Sequence, residues 1–455
     1  MTGHTRWVAR IAVGCALGSC MCLGVAASAQ QAVTPRAAPP ATNASKGNAV
    51  RAAFRTAIDS MVGRSQYRSA MWGVLVVDPE SGDTLYSRNA EKLFIPASNQ
   101  KILTAAVALA TLGPDFRFST SIATSGVQHD SVLTGDLVVY GSGDPTFSDR
   151  IRGDAMIPLR EMADSIRARG ITHVEGRLRR GTPVFTDAPI GFGWSWSDLL
   201  ATYGASVGDL MFNDTYVAVR VNMDGTPDTS RGLPPRYRNF LDAFYGALSE
   251  RGVQVRMMYD WTTPAGDSAF TPMFTYQSPP LRDILPHFAK PSQNQIGEVL
   301  LKTLGLWRTG AGRADSGSSV VARQLLAWGI DSGGFVVHDG SGLSRHDLLS
   351  PETLVRVLDA ARRDSNFAVF YDALPIAGID GTLDRRMRGT AAEGNARAKT
   401  GSMDRVRSLS GYVTTADGRM LVFSLLANGW TVPGAVVDST MDSIVVRLAA
   451  LRLDR

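Results

Sequence analysis

A serine and a lysine three residues apart are the first residues in this sequence whose types could do nucleophilic chemistry. They are the first and the last residue of the run Ser98-Asn99-Gln100-Lys101. Residues i and i+3 share one face of a helix, so the amine can reach the hydroxyl, and burial of this apolar helix would favour the neutral amine that a general base must be. An exposed N-cap serine beside a solvated lysine has the same spacing, so this pair alone is weak evidence.

A second polar pair, Ser292 and Asn294, stands directly before an apolar helical pattern. A hydroxyl and an amide two residues apart can both face one cleft, where the serine would relay a proton and the asparagine would hold a substrate carbonyl and a lysine. The same spacing occurs at Ser87-Arg88-Asn89 in a predicted hairpin strand. This element therefore indicates a site only in combination with others.

The triplet Lys399-Thr400-Gly401 occurs once, just before the last predicted hairpin. An edge strand there could offer backbone groups to an extended peptide, with Lys399 and Thr400 binding its carboxylate and Gly401 allowing a close approach. The signal is sharp because lysine is rare, with 41 arginines against six lysines in the chain. Arginine keeps its proton in proteins, whereas a desolvated lysine can lose it, so Lys101 and Lys399 stand where an amine itself matters.

The elements around these residues must position them. The sequence predicts a β-hairpin over residues 71–86 and a helix whose apolar positions run from Ile102 to Leu109, so Ser98 stands at a helix start. Further helices are predicted at about 156–169, 294–304, 319–329, 352–363 and 437–451, and a second hairpin at 409–426. Residues 115–277 alternate short strands and turns, which indicates separate β-rich material.

Composition limits the classes of protein that this chain can be. Its 455 residues are 44% hydrophobic and 20% charged, which excludes a disordered protein and predicts two or three domains. The net charge of +5 is dispersed, without a basic run or an aromatic-interleaved basic stripe, so nucleic-acid binding is not expected. The histidines show no metal-ligand spacing, and no metal or other cofactor is expected.

The N-terminus has the features of an export signal. Arg6 and Arg10 precede an apolar run over 11–25 and the small triplet Ala27-Ser28-Ala29, which predicts a signal peptide over 1–29 that is cleaved near Ala29. A lipoprotein signal at Cys20 is the weaker alternative. All three cysteines lie in this segment, and residues 30–49 have the composition of a flexible leader. We therefore expect a periplasmic or otherwise exported protein without a transmembrane segment in its mature chain.

The order Ser-x-x-Lys, Ser-x-Asn, Lys-Thr-Gly is the motif set of penicillin-binding proteins and serine β-lactamases. Over nearly all of its mature length the chain resembles the class C low-molecular-mass penicillin-binding proteins, the D-alanyl-D-alanine carboxypeptidase/endopeptidase family. Stretches similar to that family's lie at 94–98, 141–146, 193–200, 277–281 and 339–345. Gln293, where aspartate is common, and Pro291 depart from the family pattern without removing a reacting group.

The resemblance implies an α/β (mixed α+β) fold. Residues 50–114 and 278–455 would form a penicillin-binding-protein/serine β-lactamase-like catalytic domain, with an antiparallel sheet flanked by helices. Residues 115–277 would be inserted between its halves, and we expect two nested β-rich units there. This insertion accounts for the long separation of Ser98 from Ser292, which a compact β-lactamase does not need.

The resemblance also implies a serine carboxypeptidase or endopeptidase that cleaves peptidoglycan stems ending in D-Ala-D-Ala and binds β-lactam antibiotics covalently. The catalytic set it implies is Ser98, Lys101, Ser292, Asn294 and Lys399. Thr400 and Gly401 would contact the substrate, and the backbone N–H groups of Ser98 and Ser402 would form the oxyanion hole.

Two more residues are weaker candidates for substrate binding. Arg345 would line the cleft, and Asp187 would meet a cationic group of diaminopimelate; for each, a structural role stays open. Alternative functions are a β-lactamase or esterase on the same fold and a non-catalytic peptidoglycan-binding scaffold. Residues 204–208 also match the nucleophile-elbow pattern of α/β-hydrolases, but the sequence lacks the buried strand that should precede it.

Overall fold

The computed structural model describes residues 42–215, 239–260 and 270–453, so the predicted signal peptide and the three cysteines lie outside the described residues. The helices are α1 (Thr42–Val62), α2 (Gln100–Leu112), α3 (Asp149–Arg152), α4 (Met156–Arg167), α5 (Phe240–Glu250), α6 (Leu281–Ala289), α7 (Asn294–Thr309), α8 (Ala314–Ala327), α9 (Pro351–Arg363), α10 (Phe367–Ala373) and α11 (Gly434–Ala450). The strands are β1 (Met71–Val77), β2 (Thr84–Arg88), β3 (Ser119–Thr124), β4 (Gln128–His129), β5 (Val132–Leu133), β6 (Leu137–Tyr140), β7 (His173–Arg180), β8 (Gln254–Asp260), β9 (Thr271–Gln277), β10 (Phe335–Val336), β11 (Leu348–Leu349), β12 (Arg397–Met403), β13 (Val406–Thr414) and β14 (Met420–Asn428).

Five antiparallel strands in the order β12-β13-β14-β1-β2 form the main sheet, which joins the two ends of the chain. Successive side chains of a strand point to opposite faces, and β1 follows this rule. Leu75 packs into the core that contains α2 and α7, whereas Val74 and Val76 pack into the core that contains α1 and α11. The sheet therefore lies between two helical layers, and β12 forms one of its edges.

The strands between residues 119 and 277 form a second sheet, in the order β4-β5-β7-β6-β3-β9 with β8 beside β7. Helices α4 and α5 cover it through a core of their own, to which Met162 and Phe244 contribute. Two nested β-rich units were expected here, but the described strands share one sheet. The placement of domain boundaries at residues 114 and 278 stays a prediction.

Helix α5 was not predicted, although its sequence carries the signals of a helix. The Asn239 side chain accepts a hydrogen bond from the Asp242 N–H at 2.9 Å, as an N-cap does. Buried apolar residues then recur at positions 240, 241, 244, 247 and 248. The short helical pattern is followed closely by strand-forming residues from Val253 onward, which favour interpretation of the whole region as β-rich.

The other predicted elements of the main domain are confirmed with shifted ends, and the leader is corrected. Helix α1 begins at Thr42, so a flexible leader up to residue 49 was wrong for its last eight residues. Residues 42–62 contain no proline and include several alanines, the strongest helix former. Helix α8 begins at Ala314, five residues earlier than predicted, and α7 continues to Thr309. Within the described residues, no helix is long and apolar enough to cross a membrane.

Candidate active site

Ser98 lies in a short 3-10 turn, Ala97–Asn99, that leads directly into α2. Ala97 has φ +47°, a left-handed conformation that is uncommon outside glycine and that often marks a functional site. The Asn99 side chain donates a hydrogen bond to the Lys399 carbonyl at 2.9 Å. The turn that carries the serine is therefore tied to β12, and Ser98 itself is half-buried.

Lys101 brings two of the predicted motifs together. Its Nζ lies 3.0 Å from Ser98 Oγ, 2.6 Å from Asn294 Oδ1 and 2.7 Å from the Ser341 carbonyl oxygen. A neutral amine has two N–H groups, and the Asn294 and Ser341 oxygens can accept both. The lone pair then faces the Ser98 hydroxyl, which is the geometry that a general base requires.

The orientation of the Asn294 amide is fixed by hydrogen bonds at both of its polar atoms. Its Oδ1 accepts from Lys101, while its Nδ2 donates to the Tyr203 carbonyl at 2.9 Å.

Gln293 Oε1 accepts from the Ile296 N–H at 2.9 Å and so caps α7. The residue that departs from the family pattern thus performs a capping role that aspartate could also perform.

Lys399 joins the second and third motifs. Its Nζ donates to Ser292 Oγ and to the Thr400 carbonyl, both at 2.9 Å. Thr400 Oγ1 donates to Thr382 Oγ1 at 2.7 Å. Thr382, which lies outside the predicted motifs, therefore contacts the proposed substrate-binding residue Thr400. Ser292 has φ +63°, which places a second left-handed residue in this site.

Gly401 lies where β12 approaches the serine turn most closely. A Cβ atom at this position would lie 2.7 Å from the Pro96 carbonyl oxygen and 3.0 Å from the Ser98 backbone nitrogen. Ser408 Oγ, on β13, donates to that same Pro96 carbonyl at 2.6 Å. Glycine is therefore needed for the close packing of β12 on the turn, and the exposed Ser402 follows it along the strand.

Burial changes the proton affinity of both amines. Each lysine is 1% exposed. Desolvation lowers the pKa of Lys101 to about 7, against the opposing effect of Asp339 and Glu298. Desolvation and the nearby charge of Lys101 lower the pKa of Lys399 well below its ordinary value. A neutral amine is thus accessible near neutral pH.

Three buried acidic residues outside the three predicted catalytic motifs lie in one cluster, and two of them, Glu298 and Asp339, raise the pKa of Lys101 against desolvation. They are Glu298 on α7 and Asp339 and Asp347 in the loop before β11. Asp339 accepts from the Gly342 and Ser344 N–H groups at 2.6 Å each. Asp339 begins the family-like stretch 339–345, and Glu298 is four residues from Asn294 and so shares one face of α7 with it, whereas no sequence pattern indicated Asp347.

The two weaker candidates make no described hydrogen bond to Ser98, Lys101 or Lys399. Asp187 forms an ion pair with Lys302 and accepts from the Ala314 N–H at 2.7 Å, so both of its oxygens are occupied. Arg345 is exposed, and its charge lowers the pKa of Tyr203 against a larger raising effect of burial. Arg345 therefore lies near Tyr203, whose carbonyl accepts from Asn294, whereas Asp187 lines a pocket of about 640 Å³ that Glu298 also lines.

The described part of the chain offers neither a metal centre nor a nucleophile elbow. No group of three or more His, Cys, Asp or Glu side chains in the described ranges could hold a metal ion. The segment at 204–208 follows a short 3-10 turn and is followed by neither helix nor strand up to residue 212. It therefore lacks the strand and helix that a nucleophile elbow requires.

Comparison with known proteins identifies the family. The model of the D-Ala-D-Ala carboxypeptidase 3 (S13) family matches residues 54–232 and 234–451, and the chain belongs to this family of serine peptidases. The D-alanyl-D-alanine carboxypeptidase of Actinomadura sp. (strain R39) is 31% identical over 463 residues, covering 87% of this chain and 84% of the relative. The sequence-based resemblance and the enzyme class are thus confirmed.

Solved structures share the fold. Penicillin binding protein 4 (dacB) from Haemophilus influenzae has a TM-score of 0.74 at 22% identity, covering 87% of this chain and 99% of its own. The penicillin G-acylated predatory endopeptidase Bd3459 from Bdellovibrio bacteriovorus, in complex with an immunity protein, has a TM-score of 0.50 at 19% identity, covering 84% and 95%. The predicted penicillin-binding-protein-like fold is confirmed.

Proposed function

We propose that this protein is an exported serine D-Ala-D-Ala carboxypeptidase and endopeptidase that acts on peptidoglycan stems and is acylated by penicillin at Ser98. One observation carries the proposal: a buried amine, Lys101 Nζ, lies 3.0 Å from Ser98 Oγ while two other oxygens can accept both N–H groups of its neutral form. The name of the Actinomadura relative supports the substrate class, and the acylated Bdellovibrio structure supports reaction with penicillin.

Acylation begins with transfer of the Ser98 hydroxyl proton to neutral Lys101. The Ser98 oxygen forms a bond to the carbonyl carbon between two D-alanine residues, and one carbonyl electron pair moves onto the oxygen. The backbone N–H groups of Ser98 and Ser402 would stabilise this oxyanion. The tetrahedral intermediate then collapses, and the C–N bond breaks as the amine leaves.

The leaving amine must receive a proton as the C–N bond breaks. Ser292 donates its hydroxyl proton and recovers one through Lys399, whose Nζ is 2.9 Å away. Lys399 and Thr400 hold the terminal carboxylate of the substrate, while Asn294 positions the acyl chain. A carboxylate beside Lys399 favours the protonated amine, so substrate binding opposes the effect of burial on its pKa.

Water hydrolyses the acyl-enzyme in the second half of the reaction. If the leaving amine is free D-alanine, the enzyme acts as a carboxypeptidase; if it belongs to a crosslink, the enzyme acts as an endopeptidase. With penicillin the same attack opens the β-lactam amide, and the leaving nitrogen stays attached to the acyl group. The penicilloyl-enzyme therefore accumulates unless deacylation is fast.

Export is proposed from residues 1–29, which carry the signal-peptide features described above. Replacing Ala27 and Ala29 by arginine should leave an unprocessed precursor, because the peptidase site needs small residues. Retention of normal processing in this variant would place the cleavage elsewhere.

The central experiment is covalent labelling with a fluorescent penicillin. We expect the wild-type protein to be labelled at Ser98 and Ser98→Ala to remain unlabelled, with Ser81→Ala, an exposed turn serine, as the control that labels normally. Normal labelling of Ser98→Ala would overturn the assignment of the nucleophile.

Product analysis separates the proposal from its alternatives. Release of D-alanine from a synthetic pentapeptide supports the peptidase, and its absence despite correct folding would favour a peptidoglycan-binding scaffold. Prompt hydrolysis of a chromogenic cephalosporin would favour a β-lactamase, because that activity requires fast deacylation. Mass spectrometry of products from purified muropeptides then measures carboxypeptidase against endopeptidase action.

A further inference from the structure

Glu298 is a buried acidic residue for which the proposed mechanism has no role. It lies four residues after Asn294 on α7, and the two share one face of the helix. Glu298 is 2% exposed. A carboxyl group so far from water needs partners, because an unpaired buried charge is costly. The partners of Glu298 connect it to the catalytic base.

The contacts run from Glu298 through one short stretch of backbone to α2. Glu298 Oε1 accepts from the Ser341 N–H at 3.0 Å, and Oε2 accepts from the Gly340 N–H at 3.3 Å. Asp339 Oδ1 shares the Ser341 N–H at 3.2 Å. The carbonyl groups of Gly340 and Ser341 point to the other side, towards α2.

Both carbonyl groups accept hydrogen bonds from side chains of α2. The Ser341 carbonyl accepts from Lys101 Nζ at 2.7 Å, and the Gly340 carbonyl accepts from Thr104 Oγ1 at 2.7 Å. A Cβ atom on Gly340 would lie 2.0 Å from the Gly297 carbonyl oxygen, so this backbone also packs tightly on α7. The backbone at residues 340–341 is therefore packed between α2 and α7.

We propose that Glu298 is a positioning residue for the catalytic base. It fixes the Gly340–Ser341 backbone through two hydrogen bonds, so that the Ser341 carbonyl holds the Lys101 amine beside Ser98. The inference rests on the proposed role of Lys101 as base. It adds a residue that acts through the backbone and does not contact the substrate.

The electrostatic environment of Glu298 includes groups from every side. Asp339 and Asp347 belong to the loop, Lys101 to α2, and Lys302 lies one turn further along α7 in an ion pair with Asp187. Desolvation and Asp339 raise the pKa of Glu298 to about 8, while hydrogen bonds from the loop and the charge of Lys101 oppose this rise. In turn, Glu298 raises the pKa of Lys101 against desolvation.

The test is the single-turnover rate constant of acylation by benzylpenicillin, measured against pH. For Glu298→Gln we expect the rate constant to fall about tenfold or more, because the amide cannot accept both N–H groups and the amine loses its position. We also expect the midpoint of the acidic limb to move to lower pH, because a displaced Ser341 carbonyl no longer accepts the hydrogen bond that favours protonated Lys101. A single-turnover rate constant does not depend on the folded fraction.

Two further variants test whether the effect is specific to these contacts. Glu298→Asp keeps two carboxyl oxygens as acceptors but withdraws them by one methylene, so we expect a reduced rate with a midpoint closer to that of the wild type. Lys302→Met removes a buried charge on the same helix face without touching residues 340 or 341, so we expect an unchanged midpoint. It controls for general loss of stability in α7.

The outcomes distinguish this inference from the proposed function. Wild-type rate and midpoint in Glu298→Gln would overturn the positioning role, as would a lower rate with a wild-type midpoint that Lys302→Met reproduces. Failure of penicillin to acylate the wild-type protein at Ser98 would instead overturn the proposed function, and this inference with it.

Discussion

The proposed catalytic lysines and the segment over residues 181–215 both contribute to the site, but they differ in burial and in the regularity of their backbone. Lys101 and Lys399 are 1% exposed and project from a regular helix and a regular strand. The segment consists of short turns and irregular backbone, and it exposes large apolar side chains such as Trp196, which is 75% exposed. The two lysines are thus buried in regular secondary structure, whereas the segment has irregular backbone and exposes part of its side chains to solvent.

The segment nevertheless helps to orient one proposed catalytic side chain, Asn294, and two neighbouring groups, Gln295 and Asp339. Its carbonyl groups at Tyr203 and Thr202 accept from the amides of Asn294 and Gln295, each at 2.9 Å. Trp194 Nε1 donates to Asp339 Oδ2 at 2.9 Å. In the proposed mechanism the buried elements carry the reacting groups, and the segment holds Asn294 in place through its backbone. Substitutions in the two regions should therefore differ in magnitude.

The largest effect is expected from Lys101→Arg. Arginine keeps the charge but does not lose its proton, so we expect acylation of Ser98 to fall by about a thousandfold or more. The measurement is the rate of labelling by fluorescent penicillin. Lys92→Arg, at an exposed position, is the matched control and should label normally. An active Lys101→Arg enzyme would mean that another group is the base.

Gly401→Ala should have the next largest effect. The new Cβ would lie 2.7 Å from the Pro96 carbonyl oxygen and 3.0 Å from the Ser98 nitrogen, so β12 and the serine turn must separate. We expect acylation to fall about a hundredfold, because small displacements of reacting groups are costly.

The matched control for Gly401→Ala lies in the irregular segment. A Cβ on Gly208 would meet nothing within 4 Å, so Gly208→Ala should acylate at the wild-type rate. Equal effects of the two substitutions would remove the distinction between the regions.

The pH dependence of acylation should report the buried amine. Only neutral Lys101 can accept the Ser98 proton, and burial lowers its pKa to about 7. The rate should therefore be lost as pH falls through about 7, by about tenfold for each unit below it. An acidic limb near pH 10 would show that Lys101 behaves as a solvated amine. Substitutions in the segment at 181–215 should leave this midpoint nearly unchanged.

The contrast between the two regions also explains what the sequence could predict. The reaction requires particular side chains at fixed spacing, so Ser98, Lys101 and the triplet at Lys399 are recognisable from their residue types alone. The hairpins and helices of the main sheet are recognisable too, because their apolar periodicity is strong.

The supporting contacts are not recognisable in the sequence, because they use groups that every residue carries. The carbonyls of Tyr203 and Ser341 act through position alone, and nothing in their side chains signals it. Glu298 has no distinguishing feature in the sequence, because its role depends on contacts with the backbone at residues 340 and 341, which only the fold brings close. Asp187 was expected from the sequence to meet a cationic group of the substrate; the structure shows its ion pair with Lys302, and the substrate contact stays a prediction.

The smallest effect is expected in the segment itself, from Trp194→Phe. The substitution removes one donor to the buried Asp339, which keeps its bonds from Gly342 and Ser344. We expect a loss of about 1–2 kcal/mol in the free energy of unfolding and a fall of only about two- to fivefold in acylation. Trp196→Phe, an exposed neighbour, should change neither quantity. If Trp194→Phe instead reduced acylation as strongly as Gly401→Ala without loss of stability, the segment would belong to the reacting machinery, and the division between the two regions would be wrong.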